Sequence, residues 1–338
     1  MSTIYDVAKL AGVSAKTVSR VVNEDRAVKQ DTRDRVLKAL VSLDYRPNPQ
    51  ARQLRLGARA AVGLLVEDPT SGYQGRFHSA MLSACMESSK YLSVELFDAG
   101  ADWMRSLDRF LADSGVRDMI LLPTLCDFEP LKAFLAQRGV SCVLISASQP
   151  DTRFAAISMD DRAAASDVVR HLAQLGYRRI AHIAGHPDHA ASHLRRLGYL
   201  EGCRDAGLDP VPEAYIVPGN FSFRSGFAAA ERLLCLAERP TALFASNDEM
   251  AAGACSVAHK MGLRIPEDIA VIGFDDAPIS STIWPSLSTV RQPYLEMARR
   301  SIAILNGEGD VKAGDTGNRH VLAHEIVVRE TTGARQDA

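Results

Sequence analysis

Short hydrogen-bonding side chains occur at or near the ends of the helices predicted for the first part of the chain. They are Ser14, Thr17, Ser19, Asn23 and Thr32. Hydroxyl and amide groups at helix ends suit contacts with DNA phosphates, which fix a protein on the duplex without reading its sequence. Helix capping is the alternative role, and for Ser14 and Thr32 we expect both roles together.

Gly12 separates the two amphipathic helices that would position these side chains, because glycine adopts the left-handed C-cap conformation without steric cost. Thr3 and Ser14 are the expected N-caps, and a third helix is expected to begin with Asp31 or Thr32 as its cap. The apolar faces are Ile4, Val7, Ala8 and Ala11 in the first helix and Val18, Val21 and Val22 in the second. The pattern predicts a helix-turn-helix unit, with a helical hairpin that binds no nucleic acid as the alternative.

Several motifs follow one another in fixed order through this segment. They are Asp6-Val7-Ala8, Ala11-Gly12-Val13-Ser14, Thr17-Val18-Ser19-Arg20-Val21, Thr32-Arg33, Tyr45-Arg46-Pro47-Asn48 and Ala51-Arg52-Gln53-Leu54. With them, the run from Thr3 to Gly57 resembles the lactose-repressor/galactose-repressor family of bacterial transcription regulators. The similarity continues to about Thr332 and so covers nearly the whole chain.

The resemblance implies an all-α helix-turn-helix head and a two-lobed α/β core of the periplasmic-binding-protein type, with parallel sheets flanked by helices. The expected limits are 1–46 for the DNA-binding domain, 47–58 for a hinge helix, 59–333 for the effector-binding and dimerisation core and 334–338 for a tail. Within the core, the N-lobe is expected at about 61–159 and 291–321 and the C-lobe at about 160–290 and 322–332. The chain would then cross between lobes near 160, 290 and 322.

Base reading is assigned by the resemblance to the opening of the second helix, at Ala15, Lys16 and Arg20. The arginine fork can donate to O6 and N7 of guanine together, and lysine can donate to the same acceptors. Ala15 offers a methyl group, which suits the methyl of thymine.

Residues 48–56 resemble the hinge helix of the family, which orders on operator DNA. Leu54 matches the leucine that wedges into a minor-groove base step and kinks the duplex. An exposed leucine between Gln53 and Arg55 is a poor core residue, which favours the wedge over a linker helix docked on the core. Two adjacent wedges require a homodimer, and a dimer implies a pseudo-palindromic double-stranded operator.

Charge divides the chain in the same way. Residues 1–59 hold 12 Lys and Arg against 6 Asp and Glu, a net charge of +6, so the remainder carries −8 of the overall −2. A basic head on an acidic core suits phosphate contact at one end, although solvated surface charge is the alternative.

From residue 61 short apolar runs alternate with amphipathic stretches, which predicts parallel sheets covered by helices on both faces. The expected strands are 61–66, 92–97, 118–122, 141–146, 180–184, 241–245 and 269–273. The pattern restarts near Asp160, which indicates two similar lobes. A small molecule is expected in the cleft between them, at the carboxyl ends of the strands.

Polar and aromatic residues placed after these strands are the candidate effector ligands. Those that match effector-contacting positions of the family are Tyr73, Arg195, Phe221, Asn247 and Asp275. A carboxylate and an amide can meet sugar hydroxyls, and a ring can cover a sugar face. Helix capping competes as the role of Ser246 and Asp248.

Trp284 and Ser146 complete the candidate set. Trp284 stacks on a sugar or fills the lobe interface, and the sequence favours neither. Ser146 ends the fourth expected strand, where many relatives carry an acidic or amide residue. That departure weakens the transfer of any particular sugar from a relative.

Other classes of protein fit the sequence less well. No apolar run approaches the roughly 20 residues that span a bilayer, and no signal peptide precedes the first helix, so we expect a cytoplasmic protein. The histidines His182, His186, His189 and His193 lack a regular ligand spacing, and the six scattered cysteines suggest small buried hydrophobes. We therefore expect no metal, no cofactor and no enzymatic activity.

The sequence thus predicts a sequence-specific transcription regulator, a repressor of carbohydrate-utilisation genes controlled by a small sugar-like effector. The same regulator with a purine, nucleoside or other metabolite as corepressor is the alternative. A sugar-binding protein without a regulatory role, or an architectural DNA protein, would not need both the head and the core. Family habit favours release of DNA by an inducer.

Overall fold

The computed structural model describes residues 4–22, 28–43, 61–100, 102–208, 210–308 and 319–333. The chain forms two compact units, Met1–Ala60 and Ala61–Ala338, here called the head and the core. Asn23, the predicted hinge with Leu54, and the tail lie outside the described residues.

The described part of the head is all-α, as the sequence predicts. Its helices are α1 (Ile4–Ala11), α2 (Ala15–Val22) and α3 (Gln30–Ser42). Val7, Val18 and Val36 are fully buried where the three helices meet. Gly12 has a φ of +63°, which is the left-handed conformation that a glycine turn between two helices requires.

Helix α3 begins earlier than its sequence suggested. Its N-cap is Lys29, which makes no side-chain capping bond, so the expectation that Asp31 or Thr32 caps this helix is wrong. Both residues lie in the first turn, where the Asp31 carboxylate is favoured by the positive end of the helix dipole. By contrast, Ser14 caps α2 through a 3.1 Å bond from the Thr17 N–H to its Oγ.

The core contains two parallel sheets and a short antiparallel pair. The strands are β1 (Ala61–Val66), β2 (Tyr91–Leu96), β3 (Asp118–Leu121), β4 (Ser141–Ile145), β5 (Ala155–Met159), β6 (Ile180–Ala184), β7 (Ile216–Pro218), β8 (Ala242–Ala245), β9 (Ala270–Ile272), β10 (Thr289–Arg291), β11 (Arg319–Leu322) and β12 (Glu325–Val327). The N-lobe sheet has the order β11-β5-β4-β3-β1-β2, and the C-lobe sheet has the order β7-β6-β8-β9. Strands β10 and β12 pair antiparallel.

Helices cover both faces of each sheet. They are α4 (Gly72–Glu87), α5 (Trp103–Ser114), α6 (Glu129–Gln137), α7 (Asp161–Gln174), α8 (Ala190–Asp205), α9 (Phe223–Leu234), α10 (Asp248–Lys260), α11 (Ile279–Thr282) and α12 (Tyr294–Leu305). In the N-lobe, α4 and α12 pack on one face and α5 and α6 on the other. In the C-lobe, α7 and α8 pack on one face and α9 and α10 on the other.

The chain passes between the two sheets three times. It leaves the N-lobe sheet after β5 and enters α7, and it returns through β10 to α12. It leaves again after β11 and ends against β10 as β12. This interleaving makes the two lobes one two-lobed α/β core, the fold class that the sequence predicts.

Five strands lie outside those expected from the sequence, namely β5, β7, β10, β11 and β12. Strand β5 is Ala-Ala-Ile-Ser-Met, with a single β-branched residue, and β7 is only three residues long. Both form because they pair with a neighbouring parallel strand, β4 and β6 respectively, which local propensity does not report.

Of the described helices, none has the length and hydropathy needed to cross a membrane. Five of the six cysteines are buried and Cys235 is exposed. The described residues contain no group of three His, Cys, Asp or Glu arranged to hold a metal ion.

Candidate effector cavity and DNA-binding face

In the head, the opening of α2 is accessible to solvent. Lys16 and Arg20 are exposed and Ala15 is half-buried, so the predicted base-reading side chains lie on the surface. Ser14 is exposed and Thr17 half-buried beside them. Thr32, in α3, is half-buried as well.

Ser19 differs from the other predicted phosphate contacts. Its residue is only 5% exposed, because it lies next to Val18 on the side of α2 that faces the head core. Ser19 stays a predicted phosphate contact, one that needs its hydroxyl to become accessible at the DNA surface.

The core contains a cavity of about 500 Å³ that is lined from both lobes. Its walls come largely from loops at the carboxyl ends of the parallel strands, as the fold class predicts. Six of the predicted effector residues line it together: Tyr73, Ser146, Arg195, Phe221, Asn247 and Asp275. Residues up to 202 positions apart in sequence thus meet at one cavity.

Trp284 is the predicted effector residue that the structure places elsewhere. It does not line the cavity, its residue is 79% exposed, and its ring stacks on that of His259 at 6.1 Å. Neither expected role, stacking on a sugar or filling the lobe interface, fits that position. The loop after α11 carries the ring outward rather than toward the strand ends.

Arg195 is buried in the wall of the cavity and held on several sides. Its guanidinium donates to the Asp161 carboxylate at 2.8 Å and to the backbone carbonyl of Ser246, and it lies 3.6 Å above the ring of Phe274. The Asp275 carboxylate is 3.7 Å away. A charge this deeply buried is tolerated because opposite charge, a carbonyl and an aromatic face replace its water.

Asp275 is the second acidic residue beside that guanidinium, after Asp161. It has a φ of 106°, a region that side-chain-bearing residues rarely adopt, and its Oδ1 accepts a 2.6 Å bond from the Gln292 amide. Burial raises the pKa of Asp275 to about 7, although the Arg195 guanidinium opposes that rise. Near neutral pH this carboxyl can therefore both donate and accept hydrogen bonds.

Aromatic rings form the apolar part of the wall. Tyr73 packs edge-on against Tyr294 with ring centroids 5.6 Å apart, and Phe221 packs on His189 at 5.2 Å. The hydroxyl of Tyr73 is buried and has no hydrogen-bond partner among the described residues. Buried polar atoms without partners are uncommon in folded proteins.

Asn247 has a structural role as well as a place in the wall. Its side-chain oxygen caps α10 by accepting from the Met250 N–H, and its amide donates to the Phe221 carbonyl and to Glu249. Capping therefore belongs to Asn247 rather than to Ser246 or Asp248. Asp248 instead accepts bonds from the Ala277 N–H and the Thr289 hydroxyl.

Several cavity residues were missed by the sequence reasoning. They are Glu67, Asp68, Asp161, His189, Glu249 and Gln292. Glu67 and Asp68 directly follow β1, so the rule that found Asp275 would have found them too. Asp161 follows β5, which was not expected as a strand. No pattern in the sequence identified Gln292, which reaches the cavity because the chain crosses between the lobes after β10.

Carboxylates, one buried arginine and aromatic rings thus surround a cavity that fits a small polar molecule, while the head presents basic side chains on a helix-turn-helix unit. Fold and cavity together define a ligand-responsive DNA-binding regulator.

Comparisons with known proteins agree with that class. Residues 3–48 match the model of bacterial regulatory proteins, lacI family, and residues 169–332 match that of a periplasmic binding protein-like domain. The chain is 33% identical to the probable HTH-type transcriptional repressor ExuR of Bacillus subtilis (strain 168), covering 98% of this chain and 100% of the relative. The chain therefore belongs to the lacI family of bacterial transcription regulators.

Two solved structures are similar over the same length. A complex of the transcriptional regulator CelR with cellobiose has a TM-score of 0.70 and 29% identity, covering 98% of this chain and 100% of that one. The lac repressor dimer bound to operator and the anti-inducer ONPF has a TM-score of 0.76 and 28% identity, covering 98% and 99%.

The raised pKa of Asp275 predicts a measurable dependence of stability on pH. Because the folded protein holds this proton up to about pH 7 and the unfolded chain releases it near 3.8, its contribution to stability is present below pH 3.8 and is lost as pH rises toward 7. From pH 4 to 7.5, the wild type should lose about 1–4 kcal/mol of unfolding free energy relative to Asp275→Asn. Urea unfolding followed by tryptophan fluorescence measures this, since both tryptophans, Trp103 and Trp284, lie in the core.

The informative quantity is the difference in unfolding free energy between the wild type and Asp275→Asn, because all other carboxyl groups titrate in both proteins. Parallel pH profiles for the wild type and Asp275→Asn would contradict the assignment. Asp268→Asn, at an exposed ion pair with Arg264, is a suitable control. A profile unlike that of Asp275→Asn is expected for it, because the pKa of Asp268 is lowered by its bonds to Arg264.

Proposed function

We propose that this chain is a homodimeric repressor of carbohydrate-utilisation genes whose affinity for its operator is controlled by an uncharged sugar bound in the core. The observation that carries the proposal is the cavity of about 500 Å³ in which carboxylates and aromatic rings are combined. Sugars present hydroxyl edges and C–H faces, and this combination of side chains meets both. The similar regulator CelR was solved with cellobiose, which supports the same ligand class here.

Charge in the cavity argues for an uncharged ligand. Five carboxyl groups line it, namely Glu67, Asp68, Asp161, Glu249 and Asp275, and burial raises the pKa of Asp275 to about 7 and also raises that of Glu249. Arg195 is the one arginine among the described lining residues, and Asp161 already pairs with it. An anionic ligand would meet more carboxyl groups than cations in this cavity, which disfavours sugar acids and phosphorylated sugars.

A purine or nucleoside is the weaker candidate. Tyr73 and Phe221 would suit a planar base, but the donors of Arg195 are largely taken by Asp161 and the Ser246 carbonyl. A nucleobase edge would have to compete with those partners, whereas a sugar hydroxyl can use the free lone pairs of the carboxylates.

The domain limits stay part of this proposal. They comprise the DNA-binding domain at 1–46, the hinge at 47–58 with Leu54 as minor-groove wedge, and the core at 59–333. We also propose a cytoplasmic regulator that carries out no catalysis and needs no cofactor. Ala15, Lys16 and Arg20 are the proposed base readers, with Ser14, Thr17, Ser19, Asn23 and Thr32 on phosphates.

Arg20→Ala should weaken binding to the operator by about 1–3 kcal/mol, the usual contribution of one bidentate base contact. Arg20→Lys keeps the charge and loses the fork, so it should lose specific affinity while retaining most non-specific affinity. Gel-shift titrations on an operator selected from genomic fragments, and on scrambled DNA at the same salt concentration, measure both affinities. Equal operator affinity for wild type and Arg20→Ala would show that the base-reading assignment is wrong.

An apolar surface on the N-lobe supports the homodimer. Met86, at the end of α4, is 81% exposed, and Leu82 is 44% exposed on the same helix. Leu96 and Val94 are exposed on β2, the edge strand beside α4. Apolar residues clustered on one exposed face are typical of an interface, and the similar lac repressor structure is a dimer.

Met86→Glu should therefore shift the protein from dimer toward monomer, because it places a charge in the apolar centre of that surface. Light scattering after size-exclusion chromatography at micromolar concentration measures the mass. Met104→Glu is the matched control: Met104 is also exposed but lies on α5, on the opposite face of the sheet. A Met86→Glu protein that remains fully dimeric would place the interface elsewhere.

A thermal-shift screen of neutral sugars, sugar acids, sugar phosphates and nucleobases tests the effector class. Neutral mono- or oligosaccharides should stabilise the wild type, since ligand that binds the folded state raises the unfolding temperature. Asp275→Ala and Arg195→Ala should abolish the shift. Stabilisation that survives both substitutions would move the site, and hits only among nucleobases would overturn the sugar while leaving the regulator intact.

A further inference from the structure

The two lobes touch at the mouth of the cavity through a glycine and a glutamate. Gly72 is the first residue of α4 in the N-lobe, and Glu249 lies in the first turn of α10 in the C-lobe. Burial raises the pKa of Glu249, and its interaction with the Gly72 backbone N–H opposes that rise. A negative charge at the N-terminal end of a long helix is also favoured by the helix dipole.

The contact is close enough to require glycine. A Cβ at Gly72 would lie 2.3 Å from the Glu249 Oε1 and 2.8 Å from the Cβ of Ala277. The glutamate could swing away, with loss of its contact with the Gly72 backbone. Ala277 has no such freedom, because a Cβ moves only with its backbone.

Both C-lobe residues of this contact, Glu249 and Ala277, are held in place by hydrogen bonds within the C-lobe. The Ala277 N–H donates to the Asp248 carboxylate at 2.7 Å, and that carboxylate also accepts a 2.6 Å bond from the Thr289 hydroxyl. Glu249 itself receives the Asn247 amide at 2.9 Å. The surface that meets Gly72 therefore moves as part of the C-lobe, not as a separate loop.

The N-lobe side is equally well fixed. Ser71 caps α4 by accepting from the Gln74 N–H, and the Gln74 side chain accepts from the backbone N–H groups of Glu67 and Asp68 after β1. Tyr73, next to Gly72, forms part of the cavity wall. The same helical turn therefore contacts the opposite lobe and the ligand space.

We propose that Glu249 is a positioning residue, which holds the two lobes together through the Gly72 N–H and so sets the closed arrangement of the cavity. Opening of the lobes breaks this contact and exposes both groups to water. The link from lobe closure to DNA release rests on the proposed function, whereas the contact itself does not. Its strength sets how much closure exists before an effector binds.

A distance measurement between the lobes tests the proposal without any effector. Nitroxide labels at an introduced Ala112→Cys, exposed on α5, and at the exposed native Cys235 span the N- and C-lobes. The full-length chain is labelled and diluted with excess unlabelled chain, so that pulsed electron resonance reports distances within one protomer. The other five cysteines are buried.

Gly72→Ala and Glu249→Ala should both move the distance distribution to longer values. Gly75→Ala is the matched control on the same helix, since a Cβ there has no heavy atom within 4 Å, and it should leave the distribution unchanged. Glu249→Gln keeps an acceptor for the Gly72 N–H and should restore most of the wild-type distribution. A merely structural role for Glu249 would lower stability without lengthening the distance.

Wild-type distances in Glu249→Ala would overturn the proposal. That variant adds no atoms, so it decides the question even where Gly72→Ala fails to fold. An unchanged distance would not contradict the proposed sugar effector. A sugar screen without hits would not contradict the distance result.

Discussion

Burial of the Arg195 guanidinium is the constraint around which the effector cavity is organised. Removing a guanidinium from water costs several kcal/mol unless its donors and its charge are met within the protein. Here Asp161 after β5, the Ser246 carbonyl after β8 and the Phe274 ring after β9 meet them. One side chain on α8 thus holds three strand ends at fixed distances, and the wall of the cavity follows from that arrangement.

The corner after β9 connects the cavity with the segments that join the lobes. Asp275 and Asp276 are consecutive and both have positive φ, 106° and 50°. Asp275 faces Arg195 and Gln292, whereas Asp276 pairs with Arg291 in β10 and with Arg329 after β12. Such backbone conformations persist only where the surroundings determine them, and here two sets of charged partners do so. A ligand that changes the hydrogen bonds of Asp275 therefore acts on the same rigid corner that anchors two of the crossing segments.

Much of the fold followed from the sequence because its signals are local. Helix periodicity around Gly12 and apolar runs such as 61–66 predict their elements directly, and the strand-end rule then identified Asp275 and Asn247. The rule missed Asp161 because β5 has little intrinsic strand preference and forms through its pairing with β4 and β11. Gln292 was missed since crossings between lobes have no local signature. The N-cap of α3 was predicted at the wrong position because Asp31 and Thr32, which have good capping propensity, lie inside the helix.

Ser146 shows that the polarity of the cavity cannot be predicted from single sequence positions and depends on which residues the fold brings together. The family resemblance implies an acidic or amide side chain where this chain has Ser146, so a position-by-position comparison predicts a less polar site. The assembled cavity instead gains carboxylates from Glu67 and Asp68 after β1 and from Glu249 in α10. Those residues are separated by about 180 positions in sequence and meet only because the parallel sheets direct their carboxyl ends to one cleft. Because one of them, Glu249, also contacts Gly72 across that cleft, a carboxyl group of the cavity wall and the proposed contact between the lobes belong to the same side chain.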